Sequence, residues 1–204
     1  VIEEAKSKGN KVDKKDIPNR VDLRDKTIFT IDGEDAKDLD DAVRVYKNDD
    51  GNYMLDVHIA DVSYYVTENS LLDKEAIIRG TSIYMLDRVI PMLPKELSNG
   101  ICSLNQKEDR FAITVLMEIN SKGEVVSSNI QKSIIKVTRR MSYKEVQTIL
   151  DVINNEEDKK IFNLKDKEKL LEECKPYFEH FKRMEELANI LKQKREKAGS
   201  LNLD

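Results

Sequence analysis

TIFTIDGEDAKDLDDAVRVYK, residues 27–47, decides how this chain is read. Its two ends, TIFTI (27–31) and AVRVYK (42–47), are β-branched and aromatic and read as strands. Between them, six carboxylates (Asp32, Glu34, Asp35, Asp38, Asp40 and Asp41) fall within the ten residues 32–41. Like charges this close raise one another's pKa unless a cation neutralises them. The flanking strands also bring part of the loop to the edge of a core, where an uncompensated charge is costly. Oxygen donors with no His or Cys nearby select Mg²⁺, with Mn²⁺ as the alternative. A calcium EF-hand loop is excluded, because counting from Asp38 the sixth residue is Val43 where that loop needs Gly. A solvated charged turn is the competing reading. In extended backbone Asp38 and Asp40 share a face and Asp41 points the other way. Gathering them therefore needs a turn, for which Gly33 is the candidate.

Outward from the loop, NDDG (48–51) is a hairpin turn leading into YMLDVHIADV (53–62) as a third strand. Tyr53, Leu55, Val57 and Ile59 are expected to face the core. Ser70 is placed to cap a helix through about Arg79, with Asp73 in its first turn and Gly80 ending it. TSIYMLDRVIPMLP (81–94) reads as an irregular wall or short strands. FAITVLMEI (111–119), the Lys122-Gly123 turn and residues 124–138 form a long hairpin. Ser142 and Glu145 make a capping box for a helix to about Ile153. Residues 154–168 are highly charged and read as a surface connection. Leu171, Cys174, Phe178, Phe181, Met184, Ala188 and Leu191 then recur at helical spacing, with a break at Pro176 and a stop at Gly199. The expected class is α+β: a strand-rich mixed or antiparallel sheet over about 27–138, then helices over about 142–198. Residues 1–25 are a lead-in segment.

With 204 residues the chain is long enough to bury a core, and its composition is 39% hydrophobic and 36% charged. A net charge of −4 argues against a generally basic nucleic-acid binder, but not against an enzyme whose acidic site holds cations. No apolar run approaches the ~20 residues of a membrane span. Cys102 and Cys174 form no CxxC pair, so a zinc site or disulfide framework is not expected and a reducing, cytoplasmic setting is.

TIDGEDAKDLDDAV resembles the signature of the ribonuclease II/ribonuclease R exonucleases, the RNB catalytic domain. VDLRD (21–25), VHIADVSYYV (57–66), RGTSIYMLDRVIPMLP (79–94) and LSNGICSLNQKEDRFAITV (97–115) are similar to further blocks of that family, in the same order. DGEDAKDLDDA is nearer the ribonuclease R form. The resemblance implies a processive, metal-dependent 3′→5′ exoribonuclease that acts on the 3′ end of single-stranded RNA and releases nucleoside 5′-monophosphates. It implies Asp32 and Asp41 as direct Mg²⁺ ligands, Asp38 as a supporting ligand and Asp40 as the residue most essential to the chemical step. Tyr84 matches the tyrosine that stacks on a base near the RNA 3′ end, its competing reading being a wall residue. Arg79 and Arg88 flank it as candidate phosphate contacts or loop braces.

His58 reads as a hydrogen-bonded structural histidine, and Arg139 with Arg140 as a solvated basic pair. Residues 26–204 then correspond to the N-terminal portion of the family domain. No arginine-rich motif of the TSPIRRY kind is found, and Ala198 stands where the family usually has Arg. A chain of this extent is expected to be weakly active or inactive alone, and to self-associate through uncovered apolar surface. Two further readings compete: an RNA-binding module without catalysis, and a helical interaction protein that docks through residues 165–198.

Overall fold

Apolar and β-branched runs become strands here, and the rest of the chain is arranged to cover them. A computed structural model describes residues 1–154 and 166–200. Its elements run α1 (Ile2–Ser7), a 3-10 turn (Lys14–Asn19), β1 (Val21–Asp22), β2 (Phe29–Asp32), β3 (Asp41–Lys47), β4 (Tyr53–Ala60), α2 (Val62–Tyr65), α3 (Leu71–Arg79), β5 (Ile83–Tyr84) and β6 (Val89–Ile90). After an irregular turn at Leu97–Ile101 come β7 (Asp109–Ile119), β8 (Val125–Lys136), β9 (Arg139–Ser142), α4 (Tyr143–Ile153), α5 (Lys167–Cys174) and α6 (Phe178–Lys197).

Seven strands form one mixed sheet in the order β1-β8-β7-β4-β3-β2-β9, while β5 and β6 pair with each other. The long β7–β8 hairpin and the β2–β3–β4 meander are antiparallel, and the edge strands β1 and β9 join in parallel. The expected α+β architecture is therefore realised with a mixed sheet. Helices α4–α6 cover one face, where Phe29, Met141, Ile149, Leu170, Cys174 and Phe181 form a core cluster. The Phe29 and Phe181 rings lie 4.9 Å apart. At the other end Tyr65, Leu72, Leu97, Phe111 and Ile134 pack with Ala5 of α1.

The turn chemistry follows the sequence closely. Ser70 accepts from the Asp73 amide, and Gly80 ends α3 with φ +71°. Ser142 and Glu145 close the capping box of α4, which ends at Ile153. Pro176 lies in a 3-10 turn that separates α5 from α6.

Four expectations are corrected. The face of β4 carrying Tyr53, Leu55, Val57 and Ile59 is not the more buried one: Ile59 is 43% exposed, whereas Asp56, His58 and Ala60 are buried. Polar groups reach that interior because the sheet supplies partners for them, a pairing that hydrophobic alternation cannot register. The expected third strand stops at Ala60, because the Asp61 side chain accepts from the Tyr64 amide and starts α2. The lead-in is built into the fold: Ala5 is buried and β1 pairs with β8. In α6 Ala188 is exposed, and Leu187, with Leu170 of α5, is buried instead. Most of the charged connection 154–168 lies outside the described residues, as does the LNLD end.

Candidate active site

Asp32 closes β2 and Asp41 opens β3, so two of the four aspartates stand on ordered strand ends. The chain between them turns at Gly33–Ala36, where the Ala36 amide donates to the Gly33 carbonyl at 3.2 Å. Gly33 is at the turn as expected, but its φ is not positive and a Cβ there would meet nothing within 4 Å, so the turn does not demand glycine.

The second half of the loop is held by Leu39. Its side chain is buried, its amide donates to Ser103 Oγ at 3.0 Å, and its carbonyl accepts from the Leu104 amide at 2.8 Å. Ser103 Oγ in turn donates to the Lys37 carbonyl at 2.9 Å, and the Ala60 amide donates to the Asp40 carbonyl at 2.9 Å. With Leu39 turned into the core, its neighbours Asp38 and Asp40 are directed outward to solvent.

A third constraint was not legible in the sequence. Arg140, expected to be a solvated partner of Arg139, donates from Nη2 to the carbonyls of Glu34 (2.8 Å) and Ala36 (2.7 Å). Lys144 pairs with the Glu34 carboxylate at 3.0 Å. Arg139 itself pairs with Glu173. The parallel β2–β9 pairing, Asp32 against Ser142, brings these cations to the loop. Nothing local to residues 139–144 announces a contact more than a hundred positions back.

The electrostatics of the site follow from this geometry. Burial, then Asp41 and Asp38, push the Asp32 carboxyl above its ordinary value, with Arg140 opposing. Burial, then Asp38, Asp41 and Asp32, push Asp40 up as well. Asp40 remains open to solvent on its outer side, where it faces the like charges of Asp38, Asp41 and Asp32. Among the described residues none of the four aspartate side chains makes a hydrogen bond or ion pair, and no three acidic, His or Cys groups stand close enough to grip an ion as they are. The donor set nevertheless fits a hard divalent cation: four unpaired carboxylates in mutual electrostatic range, without nitrogen or sulfur.

Tyr84 is 73% exposed on the β5–β6 hairpin, and the Arg88 guanidinium lies 3.9 Å from Asp87. Among the described residues neither makes a hydrogen bond or ion pair with the acidic loop. Arg79 is a brace, donating to Glu75 and to the Pro91 carbonyl. His58 is the structural histidine expected, with Nδ1 2.8 Å from Thr114 Oγ1. Cys102 and Cys174 are free and buried. A cavity of about 790 Å³ beside Lys11, Ile17, Pro18 and Lys107 is lined by none of the acidic-loop residues. The two carboxylates in its wall, Glu108 and Asp109, are taken up by Arg110 and by Arg24 with Lys136, unlike the unpaired aspartates of the loop.

Known proteins resemble this chain over nearly its whole length. Residues 20–204 match the model of the RNB domain. Ribonuclease R of Thermotoga maritima is 47% identical over 201 residues, covering 98% of this chain and 26% of that protein. Ribonuclease R 1 of Lactococcus lactis is 46% identical over 204 residues, covering 100% of this chain and 23% of that protein. The chain thus spans about a quarter of the length of these curated relatives. The Mycoplasma genitalium RNase R structure in complex with double-stranded RNA superposes with a TM-score of 0.80 at 29% identity, covering 100% of this chain and 34% of that one. With its mixed sheet, its acidic loop between β2 and β3 and this match, the chain belongs to the RNB domain family.

Proposed function

We propose that this chain supplies the acidic, cation-holding part of a metal-dependent exoribonuclease, one that hydrolyses RNA processively from its 3′ end to nucleoside 5′-monophosphates. The observation that carries the reading is the set of four carboxylates held around the Leu39 anchor, whose side chains make no hydrogen bond or ion pair among the described residues. Membership of the RNB family, and relatives named ribonuclease R, support RNA as the substrate.

Asp32 and Asp41, on facing strand ends, are the residues suited to hold Mg²⁺, or Mn²⁺ in its place, with Asp38 in support. Bound there, the ion supplies a water of lowered pKa and neutralises charge on the leaving oxygen. Asp40, whose proton affinity is raised by burial and three like charges, is suited to take up a proton during the chemical step. Tyr84, exposed on its hairpin, offers a ring for a base near the 3′ end. Arg88 offers a phosphate contact that carries no sequence information. The buried free cysteines fit work in the reducing cytoplasm.

By itself the 204-residue chain, which spans about a quarter of the length of its curated relatives, is expected to be weakly active or inactive. The exposed apolar side chains of α3 and the β5–β6 hairpin support its self-association. The deciding experiment follows a 5′-labelled single-stranded RNA with the full-length parent protein, with Mg²⁺ and with chelator. Stepwise shortening from the 3′ end that stops on chelation and is lost in Asp40→Asn, with RNA binding kept, supports the reading. Unchanged shortening in chelator or in that variant overturns it.

A further inference from the structure

The outer edge of β8 is open over most of its length. β1 is the strand beyond it in the sheet, and β1 pairs only with Ser133 and Ile134. Among the described residues, 125–132 therefore have β7 on one side and no strand on the other. The Leu23 amide donates to the Ile134 carbonyl at 2.9 Å, so the backbone polar groups of Ile134 face outward. Pairing with β7 is regular from Ser127 to Lys136. Alternation along the strand then turns the N–H and C=O of Ser128, Ile130 and Lys132 outward too. A free edge is usually guarded by charge, proline or a bulge. VVSSNIQ, residues 125–131, has neither charge nor proline, and its Val125, Val126 and Ile130 are exposed. A register slip comes only at the hairpin end, opposite Glu118 and Ile119.

The side chains of this edge fit a copy of themselves. When two β8 strands are set antiparallel about Ser128, Val126 comes opposite the partner's Ile130, and Ser127 opposite the partner's Asn129. Glu124 and Lys132 lie equally far from Ser128 on its two sides, so each comes toward the opposite charge of the other copy. The Glu124 carboxylate is held at that end by the Asn120 amide, at 2.8 Å. Apolar and opposite-charge pairs across strands are the favourable ones, and no like charges meet. The outward N–H and C=O of Ser128 can then exchange hydrogen bonds with those of the partner's Ser128. A foreign strand would satisfy the same main-chain groups. The balanced placement of Glu124, Val126, Ile130 and Lys132 about Ser128 is what a two-fold pairing needs.

We propose that β8 docks edge to edge on β8 of a second copy of this chain, antiparallel about Ser128, so that one sheet runs through both subunits. β7 and β4 separate this edge from β3 and β2, which carry the acidic loop, so the loop stays open in the pair. The interface is also separate from the exposed apolar side chains of α3, and β5 with β6 forms a sheet of its own. The inference does not depend on the nuclease reading, because its test contains no RNA and no metal.

Sedimentation of the chain over a range of concentrations is expected to show a monomer–dimer equilibrium. Amide exchange followed by NMR is expected to slow at Ser128 and Ile130 as dimer forms, and to change less at Ser127 and Asn129, which β7 already holds. Ser128→Pro removes an outward N–H that the ladder with β7 does not use. Ile130→Lys changes a side chain that is 68% exposed. Each is expected to raise the dimer dissociation constant about tenfold or more. Ile78→Lys, on exposed α3, is expected to leave the slowed amides as they are. A chain that stays monomeric throughout, or a dimer with fast exchange at Ser128 and Ile130, overturns the proposal. So does pairing lost in Ile78→Lys but kept in Ile130→Lys, which would place the contact on α3. Amide exchange in the unsubstituted chain decides the matter even if Ser128→Pro fails to fold.

Discussion

Arg20 Nη2 and Asp61 Oδ2 form an ion pair, 2.6 Å apart, with both side chains almost fully out of solvent. The Arg20 guanidinium lies over the Phe111 ring at 4.0 Å, while Asp61 Oδ1 accepts from Ser63 Oγ at 2.9 Å. The pair joins the N-terminal segment to the start of α2. Removing one partner strands the other's charge in the interior. Asp61→Asn is expected to cost on the order of 3–5 kcal/mol, read as a lower urea midpoint. A midpoint unchanged from the parent chain would refute the role given to the pair.

Neutralising Asp40 is expected to act on stability and activity in opposite directions. Its carboxyl, like that of Asp32, is held above the ordinary value, so the folded state holds its proton more tightly than the unfolded. Both groups therefore disfavour the metal-free fold as pH rises above the usual carboxylate range. Solvent screens Asp40, so Asp40→Asn should gain no more than about 1 kcal/mol in chelator, a rise of roughly 2–4 °C in Tm. Added Mg²⁺ should stabilise the parent chain more than the variant. Calorimetry with and without Mg²⁺ checks this, and equal shifts for both chains would count against a cation at these carboxylates.

Burial, and then the Arg44 guanidinium, push the His58 imidazole down to about 4 from an ordinary 6.5. Below the higher value the unfolded chain binds a proton that the folded chain refuses. Stability is therefore expected to fall as pH is lowered from about 6.5 to about 4 and to level off beneath. The upper bound is roughly 3 kcal/mol, from about 1.4 kcal/mol per pKa unit. Denaturation midpoints between pH 7 and pH 5 should slope in the parent chain and flatten in His58→Gln.

Arg140 holds the loop through two backbone carbonyls, and its guanidinium also opposes the raised pKa of Asp32. Arg140→Ala is expected to weaken Mg²⁺ binding about 10–100-fold, as is usual for groups that orient ligands without touching the ion. Amide exchange at Ala36 should quicken. Titration calorimetry showing tighter Mg²⁺ binding instead would mean that removing a positive charge outweighs the lost support.

Where one short window carries the cause, the fold was legible from sequence. The capping box at Ser142, the stop at Gly80 and the hairpin turn before Gly51 are set by residues within a few positions of one another. The acidic loop was legible as a charge pattern, and its family as a series of blocks. What stayed hidden depends on partners remote in sequence. Arg140 looks like any surface arginine until β9 lies beside β2. Asp56 and His58 break the apolar alternation of β4, and only Arg44 and Thr114 on the neighbouring strands explain their burial. Asp61 belongs to a strand by composition and to a helix cap by hydrogen bonding.

The Leu39 anchor divides the acidic loop into halves that should tolerate change in length differently. Between Asp32 and Leu39 the turn at Gly33–Ala36 is held from outside, by Arg140 and Lys144, so an added or deleted residue would cost those contacts without moving a fully buried side chain. From Leu39 to Asp41 the spacing is counted residue by residue. The Leu39 carbonyl is fixed to Leu104, the Asp40 carbonyl to Ala60, and Asp41 enters the ladder opposite Ile59. A single insertion there would exchange inward and outward positions, turning a carboxylate toward the core and leucine toward solvent. Viable length variants of this loop should therefore cluster upstream of Leu39.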